Sequence, residues 1–155
     1  HRIARRQRQM CIRDRCIVGS YNSKTDIIEL SNAGHLPALF KKGREFIEYD
    51  SSSMPLGVKK ADNNKEYKLE TIKLEDGRLY CFTDGFSECR NEKGDEIGID
   101  GVKNLIINYQ NTSLKKELSK IIKDIESKST KGKNFDNVNS DNILEDDLTI
   151  IGLGK

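Results

Sequence analysis

Short apolar runs separated by turn-forming residues make up most of the first half of the chain. Apolar runs bounded by Asn, Gly or Asp, and alternation of apolar with polar positions, are typical of β-strands. They predict strands at 17–21, 26–31, 36–41, 46–49 and 66–74. Because the connections between these runs are short, we expect the strands to pair in antiparallel fashion.

Two further apolar runs meet acidic residues. The run 79–82 leads through a threonine to Asp84, and Asp146 and Asp147 come directly before the run 148–153. A carboxylate at a strand end is held firmly and still reaches solvent, and Mg²⁺ and Mn²⁺ prefer carboxylate oxygens. These positions are therefore candidate metal ligands. An ordinary Asp-Gly turn and a solvated loop would explain the same residues.

After residue 99 the apolar period changes to steps of three and four, which predicts two helices with buried apolar faces. The two stripes are Val102, Leu105, Ile106 and Tyr109, and then Leu114, Leu118, Ile121, Ile122 and Ile125. Ser113 is the expected N-cap of the second helix. Residues 127–145 are polar and predict a long loop. The pattern as a whole indicates an α+β fold in which helices cover one face of a mainly antiparallel sheet.

Charge is distributed unevenly along the chain. The net charge is +2, yet residues 1–15 contain six arginines and one aspartate, so the rest carries 21 basic and 24 acidic side chains. A basic arm of this kind can bind nucleic acid or an anionic membrane surface. We interpret residues 1–15 instead as a non-native segment that resembles translated adapter sequence. On this interpretation no nucleic-acid partner follows from the arginines.

Composition narrows the class of protein. The chain is 35% hydrophobic and 34% charged, with no apolar stretch long enough to cross a bilayer, so we expect a cytoplasmic domain. Its four cysteines form no Cys-x-x-Cys pair, and no histidine lies at zinc-ligand spacing. Neither a zinc site nor a disulfide framework is indicated.

Five segments in order resemble the signatures of SpoIIE-like serine/threonine phosphatases, the bacterial branch of the metal-dependent protein phosphatase 2C superfamily. They are Leu-Ser-Asn-Ala-Gly-His-Leu-Pro-Ala-Leu at 30–39, Met-Pro-Leu-Gly-Val at 54–58, Leu-Tyr-Cys-Phe-Thr-Asp-Gly-Phe-Ser-Glu at 79–88, Asn-Glu-Lys-Gly-Asp-Glu-Ile-Gly at 91–98 and Asp-Asp-Leu-Thr at 146–149. The resemblance implies that residues 16–155 are the C-terminal portion of one catalytic domain. Its antiparallel sheets, flanked by helices, would then form part of an α-β-β-α phosphatase 2C-like sandwich. In that family an aspartate of a Gly-Asp strand bridges two metals, and no such segment precedes Asn32.

The resemblance also implies roles for individual residues. Asp84 and Asp146 match the aspartates that hold one of two Mn²⁺ or Mg²⁺ ions, and Glu88 matches an acidic position associated with a weaker third ion. Asp147 could ligate in place of Asp146, because neighbouring residues of an extended segment point to opposite faces. His35 would orient water or the phosphate, or act as general acid for the leaving oxygen. A purely structural role in its turn is the alternative.

The implied reaction is hydrolysis of phosphoserine or phosphothreonine by metal-activated water. In this family the usual substrate is a phosphorylated regulatory protein of a partner-switching pathway, such as an anti-anti-sigma-like factor, and a sensor domain often lies upstream. The alternative hypothesis is a catalytically incomplete binding module, or a fragment that lacks the bridging aspartate.

Overall fold

Seven strands and three helices form within the residues that the structure, a computed structural model, describes: 15–51, 53–56, 67–91, 94–111, 113–131 and 148–154. The strands are β1 Cys16–Asn22, β2 Ile27–Ala33, β3 Ala38–Lys42, β4 Glu45–Tyr49, β5 Glu70–Lys73, β6 Arg78–Phe82 and β7 Ile150–Gly154. The helices are α1 Asp84–Ser87, α2 Gly98–Asn108 and α3 Leu114–Lys131. Within the described residues, no helix combines the length and the apolar character needed to cross a membrane.

The strands form two antiparallel sheets. The first has the order β1-β2-β5 and the second the order β4-β3-β6-β7. The turns that join β1 to β2 and β3 to β4 connect antiparallel neighbours, as their lengths predicted. The short connection 34–37 instead crosses from the first sheet to the second. Sequence periodicity alone indicated a single sheet, whereas the structure stacks two, as the resemblance to the phosphatase family implied.

Alternation along β3 and β6 explains why the two sheets stack. Phe40 and Leu79 face the first sheet and pack with its Ile28, Leu30 and Ile72. The opposite face of the same strands carries a second apolar cluster, which the helices cover. Its buried members are Leu39, Tyr80, Phe82, Phe86, Val102, Leu105, Ile106, Ile121 and Ile125. The described layers are therefore helices, sheet, sheet, which confirms the predicted α+β class with antiparallel sheets flanked by helices.

Both predicted helices form, but the second is longer than expected. Helix α3 begins one residue after Ser113 and continues to Lys131, so residues 127–131 of the predicted loop are helical. The Ser127 hydroxyl donates a hydrogen bond to the Asp124 carbonyl oxygen at 2.8 Å, a contact that is typical of a helical turn. Polarity was the wrong criterion here, because a helical turn can be as polar as a loop. In the sequence a glycine follows directly, a residue that commonly ends helices.

A buried polar cluster joins α3 to β6. Glu117 is completely buried, and its carboxylate accepts hydrogen bonds from Arg78 at 2.5 Å, the Tyr80 hydroxyl at 2.5 Å and the Asn111 backbone N–H at 3.1 Å. No local pattern indicated this role for Glu117, which lies beside solvated lysines. Because three donors hydrogen-bond to the carboxylate, its charge is not left unpaired when it is buried.

Candidate functional site

Asp84 lies where β6 passes directly into helix α1. Thr83 is extended, with φ −80° and ψ 162°, and Asp84 is the first helical residue. Gly85 and Phe86 are buried against the helical side of the sheet and anchor the turn. An ordinary Asp-Gly turn was the alternative to a metal ligand at this point, and the structure forms one turn of helix instead. The anchoring fixes the backbone of Asp84 while its side chain remains about one-third exposed, at 32%.

The Asp84 carboxylate forms an ion pair with Arg15 in this structure. Arg15 donates a hydrogen bond from Nη2 to Asp84 Oδ2 at 3.1 Å, and the arginine side chain is 55% exposed. Arg15 is the last residue of the segment that we interpret as non-native. The contact shows that the partly exposed carboxylate is accessible to a positive group. A hard divalent cation requires the same access.

Strand β7 enters the sheet beside Asp84. Phe82 lies opposite Ile150 in the register, and the Thr83 backbone N–H donates to the Thr149 carbonyl oxygen at 3.0 Å. The Thr149 N–H in turn donates to Thr83 Oγ1 at 3.0 Å. Both threonines thus help to hold the start of β7 beside the end of β6. The second predicted pair of ligands, Asp146 and Asp147, lies outside the described residues.

The loop that carries His35 is held by Asn32, which sequence reasoning had not singled out. Asn32 is buried, accepts the His35 backbone N–H on Oδ1 at 2.9 Å and donates from Nδ2 to the Leu36 carbonyl oxygen at 3.0 Å. Gly34 has φ +72°, and a Cβ there would lie 2.4 Å from Pro55. The turn therefore requires glycine. The Asn-Ala-Gly-His segment therefore packs against Pro55 of the Met-Pro-Leu segment.

His35 lies at the same end of the second sheet as Asp84. In the antiparallel β3–β6 ladder Leu39 pairs with Tyr80. The start of β3 and the end of β6 therefore lie at the same end of the sheet. The His35 ring is half-buried, and its Nδ1 lies 3.3 Å from the Leu36 carbonyl oxygen. Since a carbonyl only accepts, this contact is a hydrogen bond only when the ring carries a proton on Nδ1.

Glu88 and Cys89 follow α1 directly. The Glu88 backbone N–H donates to the Asp84 carbonyl oxygen at 2.9 Å, which ends the helix, and the Glu88 side chain is exposed. One helical turn separates the two acidic residues, a spacing that places them on one face. Cys89 donates from Sγ to the Gly85 carbonyl oxygen at 3.0 Å, and burial raises the pKa of its thiol. A thiol of this kind is a poor nucleophile.

The structure therefore brings three predicted residues, His35, Asp84 and Glu88, to one end of the second sheet. Among the residues described, no group of three or more His, Cys, Asp or Glu side chains is close enough to hold a metal ion. The donors still suit such an ion: Asp84 is rigid and open to a cation, and carboxylate oxygen is the ligand that Mg²⁺ and Mn²⁺ prefer. The cysteines Cys16, Cys81 and Cys89 form no disulfide with one another.

Solved structures of bacterial phosphatase domains share this fold. The SiaA-PP2C domain of Pseudomonas aeruginosa has a TM-score of 0.64 and 16% identity, over 85% of this chain and 48% of that one. The Mn-presoaked phosphatase domain of SpoIIE from Bacillus subtilis has a TM-score of 0.61 and 12% identity, over 90% and 56%. The Bacillus subtilis SpoIIE PP2C domain solved with a fragment of its regulatory domain has a TM-score of 0.65 and 14% identity, over 86% and 36%.

This chain spans about half the length, or less, of these three solved chains. No curated protein matches it significantly. The sequence profile of the family described as Stage II sporulation protein E (SpoIIE) matches residues 7–154, which is almost the whole chain. Together with the two-sheet fold, this match identifies the chain as a member of the SpoIIE family.

Proposed function

We propose that the chain is the C-terminal portion of a metal-dependent protein phosphatase domain that hydrolyses phosphoserine or phosphothreonine. The observation that carries this proposal is the geometry of Asp84, a partly exposed carboxylate held at a strand end, which forms an ion pair with the Arg15 guanidinium at 3.1 Å. Membership in the SpoIIE family supports the reaction type. The Mn-presoaked structure of one relative supports the choice of ion.

Asp84 and Asp146 would hold a Mn²⁺ or Mg²⁺ ion, with Asp147 as the alternative to Asp146 and Glu88 at a further, weaker site. When bound, such ions lower the pKa of water and neutralise charge on a phosphoryl group. The chain's own contribution is positional, because β6, α1 and the Thr83–Thr149 pair fix Asp84 before any ligand arrives.

His35 is suited to bind or protonate an oxygen of the substrate. Its loop is held by Asn32 and its Nδ1 faces a carbonyl oxygen, so a ring that also carries a proton on Nε2 would donate that proton to the substrate. A general acid needs that proton on the nitrogen nearest the leaving group. The proposed substrate is a phosphorylated regulatory protein, for instance an anti-anti-sigma-like factor, and the proposed setting is the cytoplasm.

The test measures Mn²⁺ affinity by isothermal titration and Mn²⁺-dependent phosphate release from a phosphoserine peptide. Asp84→Asn is expected to remove measurable Mn²⁺ binding and release. Asp76→Asn is the matched control, since Asp76 is exposed and precedes the opposite end of β6. Release that persists with excess chelator, or an equal loss in both variants, would refute the proposed site.

The second candidate function is a binding module without catalysis. The feature that bears on it is the family's bridging aspartate, because residues 16–31 contain no Gly-Asp pair. In that case the chain binds a partner in its unphosphorylated form and shows no Mn²⁺ affinity. Binding of Mn²⁺ that depends on Asp84 would decide against it.

A further inference from the structure

Two side chains from different strands hold the turn that carries His35. This turn joins β2 of the first sheet to β3 of the second. The Gly34 N–H donates to Ser51 Oγ at 2.6 Å, and the next N–H, that of His35, donates to Asn32 Oδ1 at 2.9 Å. Asn32 belongs to β2, whereas Ser51 follows the end of β4 by two residues. Each of two successive backbone groups in the turn is therefore held by a side chain.

The Ser51 hydroxyl is used both as acceptor and as donor. It accepts the Gly34 N–H, and it donates to the Ser53 carbonyl oxygen at 2.7 Å, with the Asn32 carbonyl oxygen as a second, longer acceptor at 3.3 Å. A hydroxyl has one proton and two lone pairs, so it can link a donor to an acceptor in this way. Ala33 also forms a β-bridge with Ser53. The hydroxyl therefore ties the turn to the segment that follows β4.

The segment after β4 lies at the end of the second sheet that carries the proposed active site. In the antiparallel β3–β4 ladder Ala38 pairs with Tyr49, so the end of β4 lies beside the start of β3. The start of β3 and the end of β6, which leads to Asp84, lie at the same end of this sheet. Ser51 is thus placed at the Asp84 end, where it holds the residue directly before His35.

Asn32 and Ser51 hold the same turn but differ in burial. Asn32 is 4% exposed. Its Oδ1 accepts the His35 N–H, and its Nδ2 donates to the carbonyl oxygens of Leu36 and Tyr49 at 3.0 and 3.3 Å. Removing such a buried group leaves several partners unpaired and destabilises the fold. Ser51 is exposed, so water can replace its hydroxyl as a hydrogen-bonding partner, but water does not tie the turn to the segment after β4.

We propose that Ser51 is a positioning residue for the phosphatase site. Its hydroxyl fixes the turn in the conformation that presents the His35 ring at the Asp84 end of the sheet. This role rests on the proposed function, because His35 acts on the substrate only in that proposal. Ser51 acts through the backbone of Gly34 and takes no part in the chemistry. A misplacement of about 1 Å can lower a rate up to about 100-fold, so a turn that is held less firmly would lower turnover.

Amide hydrogen exchange, measured by NMR, tests the tie itself and needs no metal. In the wild type we expect the N–H groups of Gly34 and His35 to be protected. Ser51→Ala is expected to raise their exchange rates at least about tenfold, with little change in the melting temperature, because the turn opens locally. Ser51→Thr keeps the hydroxyl and should restore the protection. Ser119→Ala is the control, since Ser119 is an exposed serine whose hydroxyl bonds within α3.

Broadening of the His35 ring signals by Mn²⁺ tests the positioning. The chain has two histidines, so the ring signals are readily assigned. We expect bound Mn²⁺ to broaden the His35 signals in the wild type. Ser51→Ala should weaken this broadening without changing the Mn²⁺ affinity, because Asp84 is untouched, and Ser51→Thr should restore it.

The outcomes separate this role from the proposed function. A wild type that does not bind Mn²⁺ overturns the proposed metal site, and the positioning role with it. Bound Mn²⁺ with equal broadening in the wild type and in Ser51→Ala overturns the role of Ser51 alone. Unchanged exchange at Gly34 in Ser51→Ala, or a Ser51→Thr variant that behaves like Ser51→Ala, overturns it as well.

Discussion

A carboxylate–arginine pair lies at each end of β6, and the two pairs differ in exposure and in the number of hydrogen-bond donors around the carboxylate. At the Asp84 end the pair with Arg15 spans 3.1 Å and both side chains are open to solvent. At the other end the pair of Glu117 with Arg78 spans 2.5 Å, with Glu117 fully buried and the arginine side chain 13% exposed. An accessible carboxylate thus lies at one end of this strand and a buried one at the other.

The comparison shows that the exposure of a carboxylate determines whether it can bind a ligand. Glu117 is surrounded by donors from three residues, so exchanging any of them for a ligand would leave a buried charge unpaired. Asp84 has one described cationic partner that water can replace at little cost. A buried carboxylate whose oxygens all accept hydrogen bonds from the protein stabilises the fold. A carboxylate that is held in place but accessible to solvent is able to bind a ligand.

Glu117→Ala is expected to have the largest effect on stability. It leaves Arg78 and Tyr80 buried without their shared acceptor, and breaking a buried pair in this way costs about 3–5 kcal/mol. The free energy of unfolding from urea titration measures the loss. Lys120→Ala, an exposed change on the same helix, is the control and should stay within about 0.5 kcal/mol. A small loss for Glu117→Ala would contradict the structural role.

Tyr80→Phe should cost less, because it removes one hydrogen bond and keeps the ring. Glu117 retains Arg78 and the Asn111 N–H, and a hydrogen bond to a charged group contributes roughly 1.5–3 kcal/mol. Urea titration again measures the change, and a double-mutant cycle with Glu117→Gln isolates the coupling of the pair. A coupling near zero would show that the two residues pack together without interacting.

The same tyrosine predicts a pH dependence. Burial raises the pKa of the Tyr80 hydroxyl, and its hydrogen bond to Glu117 raises it further. The unfolded chain loses this proton near pH 10 while the folded chain keeps it, so the contribution is complete below that pH and is lost as the pH rises above it. From about pH 9 to about pH 11 the wild type should therefore lose more stability than Tyr80→Phe. Parallel curves for the two proteins would contradict this.

Asp84→Asn should change stability least. Its pair with Arg15 is exposed, and such pairs contribute about 0–1 kcal/mol. The unfolding free energy is expected to stay within about 1 kcal/mol of wild type, although the same substitution removes the proposed Mn²⁺ binding. A loss as large as that of Glu117→Ala would mean that both ends of β6 are structural.

Local patterns predicted the elements well where neighbours in sequence decide the outcome. The apolar run before Asp84 is a strand, the stripes from Val102 and Leu114 are helices, and Ser113 directly precedes the second of them. Errors occurred at boundaries. The residues after Ser127 are polar, and their helical conformation continues an element that is already formed.

The sequence by itself determined the strand and helix periods, the position of Asp84 at a strand end and the family, because these depend on residues close together in the chain or on motifs in order. Only the tertiary structure decided that two sheets stack, that Glu117 is enclosed by Arg78 and Tyr80, and that Asn32 holds the His35 loop. Each of these depends on residues brought together from distant positions, whose burial and hydrogen bonds no local pattern records.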